Sequence, residues 1–311
     1  MSRPRVSIIT SCYRPGAFLE TFLHAVRAQT LLDQSELVFV HNEPSASELA
    51  LLREFDADRP GCLRHLIVDA VEPLGASWNR GLETATGEYA CLWNVDDVRT
   101  ERSIEVQASA LDRTPGALLA YGDFTMVAEP GSRDGIVHHQ PDSGVEGHLR
   151  SYQCGPFPMW RVSVHERVGA FDEQLRSGAD YDLVCRIALA GPTLRLPEVL
   201  GFFTNVGEGL STRGDLADVE NQVVRMRYGL FDDVDTRFLC RALRYRLRSV
   251  LRAGEWSDIR CYVADYRRLF GGWPKRVALG LKRNFVRRYP RLAKSIVRIK
   301  RGRRPFGSAG S

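Results

Sequence analysis

Residues 88–97 read EYACLWNVDD, an apolar run that ends abruptly in Asn94, Val95, Asp96 and Asp97. The run is expected to form a buried strand. Two adjacent carboxylates directly after it cannot both enter the core, because an uncompensated charge is costly to bury. They are expected at the rim of a sheet, in water or on a cation. Hard oxygen ligands there suit Mg2+ or Mn2+ held by one or two carboxylates together with phosphate oxygens, and such an ion stabilises a departing diphosphate. The same acidic pair also fits the start of a helix over 100–113, where it would complement the helix dipole. Taken alone, the residues leave both readings open.

Outward from this stretch, short apolar runs alternate with helical patterns. Residues 6–11 (VSIITS), 37–40, 63–68 and 117–122 read as strands. Between them, Phe18, Phe22 and Val26 recur at i, i+4 and i+8, and 45–55 and 75–86 read as helices, the second stopped by Gly87 in the C′ position. The alternation predicts an α/β fold: a Rossmann-like, mostly parallel sheet with helices on both faces. Ligands of such sheets sit beyond the carboxyl ends of the strands, which singles out 11–14, 41–43 and 94–97. Residues 122–155 are Gly-, Ser- and Asp-rich and are expected as loops and hairpins. Helices are expected again at 163–169 and 179–189.

Two further segments carry candidate chemistry. Asp180 and Asp182 open the 179–189 helix and, two residues apart, face different ways, so one can serve a site while the other caps or pairs. The segment GASWNRG at 75–81 places a glycine-led helix start after the third strand, a geometry that can face phosphate. No G-x-G-x-x-G and no G-x-x-x-x-G-K-[ST] occurs, which argues against dinucleotide and P-loop sites. His138 and His139, with Asp142 nearby, complete no recognisable ligand set and are expected as solvated loop residues.

Composition narrows the partners. At 311 residues, 44% hydrophobic and 26% charged, the chain falls outside the disordered and fibrous classes. The net charge of +5 conceals an asymmetry: residues 240–311 hold 21 Lys and Arg against 3 Asp and Glu, leaving 22 against 35 for 1–239. Val277, Leu281 and Phe285, then Leu292, Ile296 and Ile299, recur at helical spacing among those basic residues. Such stripes predict helices that lie on an anionic membrane surface or pack on the rest of the protein. Nucleic acid is not favoured, because no reader fold accompanies the charge. Seven scattered cysteines without C-x-x-C, and no signal-peptide pattern, predict a cytoplasmic chain, and the basic stripes would place it peripherally on the inner face of the membrane.

Four blocks, 4–13 (PRVSIITSCY), 75–88 (GASWNRGLETATGE), 92–97 (LWNVDD) and 168–186 (VGAFDEQLRSGADYDLVCR), together resemble family-2 glycosyltransferases over about 4–215. The resemblance implies a GT-A fold and inverting transfer from a nucleotide sugar, a UDP-sugar favoured, to a glycan or lipid-linked hydroxyl. It makes Ser11 and Tyr13 the base- and ribose-contacting residues, and sets Asn42 and Asn79 beside them at the donor site. Asn94 to Asp96 resembles the D-x-D metal element, so Mg2+ or Mn2+ is expected on Asp96 and Asp97. Asp180 matches the base that deprotonates the acceptor. The chain departs from the family at His41-Asn42, where an acidic pair is usual, at Arg14 for Asn, and at Ala179 for Glu. The expected division is a catalytic domain over 1–219, with a nucleotide-sugar half to about 122 and an acceptor half over 123–219, followed by a basic helical region over 220–311. A nucleotidyltransferase and a non-catalytic nucleotide-sugar-binding protein are the rival readings.

Overall fold

Alternation of buried side chains along the first strand sets up the whole molecule. In β1 (Val6–Tyr13), Val6, Ile8 and Cys12 enter one apolar cluster and Ile9 enters another, as the two-residue period of a strand requires when both faces are covered. The computed structural model describes residues 3–205, 216–228 and 230. In chain order the elements are β1, α1 (Phe18–Arg27), β2 (Ser35–Asn42), α2 (Ala46–Asp58), β3 (Leu63–Val68), α3 (Leu74–Thr84), β4 (Tyr89–Leu92), β5 (Val98–Arg99), α4 (Ser103–Arg113), β6 (Leu119–Val127), β7 (Ile136–His138), α5 (Val145–Arg150), β8 (Met159–Arg161), α6 (His165–Val168), α7 (Ala179–Ala190), β9 (Thr193–Thr204) and α8 (Leu216–Arg227).

The sheet runs β3-β2-β1-β4-β8-β6-β9-β5, with β7 paired to β6. Strands β3, β2, β1 and β4 are parallel. β8 is antiparallel to both β4 and β6, while β9 runs parallel to β6 and antiparallel to β5. An all-parallel run is therefore confined to the first half. The second half is mixed, and its strands β8 and β9 were not legible as apolar runs: β9 carries Pro197 and Gly201, and its register with β6 shifts at Gly122 and Asp123.

One face buries Phe22, Phe39, Tyr89, Trp93 and Ile104 beneath α1, α2 and α4; the other buries Ile9, Trp78, Trp160, Phe171 and Tyr181 beneath α3 and α7. Phe22 meets Trp93 edge-on at 5.3 Å, the arrangement that aromatic quadrupoles favour. α2 starts on a capping box: Ser45 Oγ accepts from the Glu48 amide, and the Glu48 carboxylate accepts from the Ser45 amide at 2.7 Å. α3 ends at Thr84, before an extended Ala85, so Gly87 is not its C′ residue. Gly87 is required instead by closeness to β1: its amide donates to Ser7 Oγ, and a Cβ would stand 2.7 Å from the Ser7 nitrogen.

The chain divides into two compact units, Met1–Phe231 and Asp232–Ser311. α8 belongs to the first, where its Glu220 and Arg227 bind the turn before α7 and α7 itself, so that unit runs past the expected boundary at 219. The basic helices expected beyond 230 lie outside the described residues.

Candidate active site

The carboxyl ends of β1, β2 and β4 lie side by side, with Tyr13 opposite Asn42 and Ile9 opposite Leu92. Each of β1 and β2 is followed by a non-glycine residue in the left-handed region, Arg14 at φ 46° and Glu43 at φ 48°. Such conformations cost about 1–3 kcal/mol and cluster at functional rims. Tyr13 is 42% exposed, and the Arg14 guanidinium lies 5.0 Å from its ring centroid. Ser11 is half-buried beside it.

Asn42 and Asn79 do not project from this rim. The Asn42 amide donates to Ser77 Oγ at 3.1 Å and accepts from the Glu72 backbone at 3.1 Å, fastening β2 to the entry of α3. Asn79 accepts from the Phe171 amide at 2.8 Å and donates to the Phe171 carbonyl at 3.0 Å and Glu173 at 2.9 Å. That exchange ties α3 to the loop that leads into α7. Asn79→Ala strands a buried backbone donor and acceptor, so a stability loss of about 1–3 kcal/mol is expected, read as a lower urea midpoint at unchanged slope.

After β4 the chain turns sharply. The Asp97 amide donates to the Asn94 carbonyl and the Trp93 indole to the Asp97 carbonyl at 3.0 Å. Asp96 is half-buried, whereas Asp97 is 1% exposed and accepts from the Thr204 amide of β9 at 3.1 Å. The rim position expected for both carboxylates therefore holds for Asp96, while Asp97 points inward and joins the two halves of the sheet. Burial pushes the Asp96 carboxyl up. Burial and then the Asp96 charge push Asp97 far above the ordinary range, against the Thr204 amide and Arg99. Arg99, itself buried, is held by Gln107 at 2.8 Å and the Leu92 carbonyl at 3.0 Å, with its guanidinium 5.0 Å from the Phe157 ring. Two adjacent carboxylates with too little positive charge are a site that a divalent cation fits, Asp96 as ligand and Asp97 behind it. Among the described residues no three His, Cys, Asp or Glu side chains form a metal-binding group; one or two carboxylates suffice where phosphate oxygens complete the shell.

Asp180 and Asp182 separate clearly. Asp182 is buried and accepts from Arg186 at 2.8 Å, Arg227 at 3.0 Å and Tyr228 at 3.1 Å. Asp180, at the second position of α7, is half-buried, accepts from the Tyr181 amide at 2.8 Å and is hydrogen-bonded to Tyr152. Burial pushes its carboxyl up to about 6, with the Glu220 charge adding to the rise and hydrogen bonds from the Tyr181 amide, its own amide and Tyr152 opposing it. α7 has no side-chain N-cap; Glu220 of α8 instead accepts from the amides of Arg176, Ser177 and Gly178. Tyr152, Thr204 and Glu220 are site residues that the sequence did not disclose. Nothing in the local pattern marks the first two, and Glu220 sits at the threshold of the basic region.

The histidine pair departs from expectation in part. His138 ends β7 and stacks on Phe124, and His139 Nδ1 lies 2.7 Å from the Asp123 carboxylate. His138 is therefore a strand residue, whereas His139 is an exposed loop residue, as expected, with one ring nitrogen engaged.

Comparison with known proteins bears on these residues. The family model described as glycosyl transferase family 2 matches residues 7–169, over half of the chain. The chain belongs to glycosyl transferase family 2. The match takes in Ser11, Tyr13, Asn42, Asn79 and 94–97, and ends before Asp180. Among solved structures, this transferase resembles S. aureus TarS 1-349 in complex with UDP-GlcNAc, at TM-score 0.61 and 15% identity over 88% of this chain and 82% of that one. The mannosyltransferase PcManGT from Pyrobaculum calidifontis, in complex with GDP-Man and Mn2+, matches at TM-score 0.53 and 18% identity over 92% and 81%. These likenesses establish the GT-A fold. A search of curated proteins finds no match.

Proposed function

We propose that this glycosyltransferase moves a sugar with inversion from a nucleotide-sugar donor, a UDP-sugar favoured, to a hydroxyl of a glycan or lipid-linked acceptor. The observation that carries the reading is the contrast at α7: Asp182 is consumed by three partners, while Asp180 is held at a pKa of about 6 beside Tyr152. A base poised near the working pH is effective. Asp180 takes the proton of the acceptor hydroxyl, whose oxygen bonds to the anomeric carbon. The bond from that carbon to the diphosphate breaks on the opposite face, and the diphosphate leaves with the electron pair. Ser11 and the exposed Tyr13 receive the nucleoside, with Arg14 close to the donor. Asp96, with Asp97 behind it, would hold Mg2+ or Mn2+, which would supply electrostatic stabilisation of the leaving diphosphate. Asn42 and Asn79 act on the donor site by fixing the segments around it.

Calorimetric titration tests this reading. UDP is expected to bind more tightly with Mn2+ than without it, and equal affinity in the two conditions overturns the donor site as drawn.

The sequence supports a location as well. No helix among the described residues is long and apolar enough to cross a membrane. The basic stripes of 240–311 support a peripheral position on the inner face of the cell membrane, where a lipid-linked acceptor would be met. Removing residues 241–311 is expected to abolish co-sedimentation with anionic liposomes, and salt should mimic the deletion by screening. Full-length protein that stays in the supernatant at low salt contradicts this.

A further inference from the structure

A set of rings on β6, β7 and β9 is not used by the transfer chemistry. Phe124 of β6 faces His138 of β7 across the strand pair, rings stacked at 5.0 Å and 8°. Phe203 of β9 meets Phe124 edge-on at 6.0 Å and 82°. Next to them, the Asp123 carboxylate is 4% exposed and fully engaged, by the Gln140 amide at 2.9 Å, Arg195 at 2.7 Å and His139 Nδ1 at 2.7 Å. His139 is nonetheless 75% exposed. An exposed side chain ordinarily samples several rotamers, but here a buried carboxylate fixes the ring by one nitrogen and leaves Nε2 for another partner.

One short segment, 152–155, runs from this cluster to Asp180. A Cβ on Gly155, which stands at φ +64°, would lie 2.9 Å from Phe124 Cδ1 and 3.7 Å from Gln140 Cδ. Only glycine lets this backbone come so close in that conformation. Three residues earlier, Tyr152 is hydrogen-bonded to Asp180.

We propose that the β6–β7 ribbon is an acceptor subsite for a pyranose ring, stacked on the His138–Phe124 pair and hydrogen-bonded by His139 Nε2. A pyranose offers what this surface lacks: one face of C–H groups for an aromatic platform, and a girdle of hydroxyls for a fixed polar group at its edge. The assignment rests on Asp180 being the acceptor base and specifies what the acceptor presents: a sugar at the reacting end, whether or not a lipid follows.

Saturation-transfer NMR tests it, with methyl glycosides of glucose, galactose, mannose and N-acetylglucosamine as probes in the presence of UDP and Mn2+. At least one glycoside should be saturated by the wild-type protein. His138→Ala should weaken that glycoside roughly tenfold, while His138→Phe should keep it, since stacking and not titration is at stake. UDP affinity, measured in parallel, should be unchanged in both variants. Binding of UDP without saturation of any glycoside overturns the subsite and leaves the transferase reading intact, as does equal glycoside affinity in His138→Ala. Saturation that depends on His138 in a protein that does not bind UDP upholds the subsite and overturns the donor site.

Discussion

Asp180→Asn is expected to lower turnover by about 100- to 10,000-fold, the usual worth of a general base, at unchanged affinity for donor and metal. The amide keeps the shape of the side chain but cannot take a proton, so ground-state binding survives while the transition state loses its help. In the wild type the working form is the carboxylate, and its pKa is pushed up to about 6. Turnover should therefore fall as pH drops through about 6, and the variant's residual rate should lose that limb. Stability moves the other way. Because the folded-state pKa lies above the ordinary 3.8, the folded chain holds this proton more tightly than the unfolded one. That contribution is fully present below about pH 4 and is lost as pH rises through about 6. At pH 7 to 8 the Asn variant should be more stable by about 1–3 kcal/mol, seen as a raised melting temperature. Asp182→Asn is the contrasting control: it removes the buried carboxylate that Arg186 pairs with and one of the two that Arg227 pairs with, the other being Asp172, so the expected damage is to stability. Near wild-type transfer by Asp180→Asn would remove it as the base.

Asp96→Ala should abolish the effect of Mn2+ on donor binding and reduce metal-dependent turnover by about 100-fold or more, the several kcal/mol that a metal clamp contributes. The fold should survive, because Asp96 is half-buried and its loss relieves a repulsion with Asp97. Asp97→Ala should behave differently, leaving the Thr204 amide without its acceptor and costing about 1–3 kcal/mol of stability. A Mn2+ response that persists in Asp96→Ala would move the cation elsewhere.

How far the sequence disclosed this arrangement depended on the range of the physics involved. β1, β2 and β4 were visible because they are buried on both faces and rich in apolar residues, and β3, at the sheet edge, by its Leu63, Leu66, Ile67 and Val68. The turn after β4 was visible because paired carboxylates on the end of such a run have few places to go. The second half was not. β8 is three residues long, β9 is broken by Pro197 and Gly201, and β6 runs on through Asp123 and Thr125 to Val127. Their polar residues are satisfied by partners 16 to 107 positions away, Asp123 by His139 and Asp97 by Thr204. Period and propensity carry no information about such pairs. The same limit applied to the carboxylates of α7, which spacing could separate but not rank. The three partners of Asp182, two of them on or just after α8, separate them. Asn42 ends β2 at the expected rim and Asn79 lies within α3, and both amide groups are taken up by partners equally remote in sequence.

The most direct test of the central proposal is nucleotide release from a panel of UDP- and GDP-sugars, with and without Mn2+, followed by phosphorus NMR. The expected result is slow, metal-dependent release of a nucleoside diphosphate from at least one donor, abolished in Asp96→Ala. Release of a nucleoside monophosphate with a sugar 1-phosphate would identify cleavage within the diphosphate, a nucleotidyl chemistry, instead, and donor binding without any release would mark a non-catalytic binder; either result contradicts sugar transfer at this site.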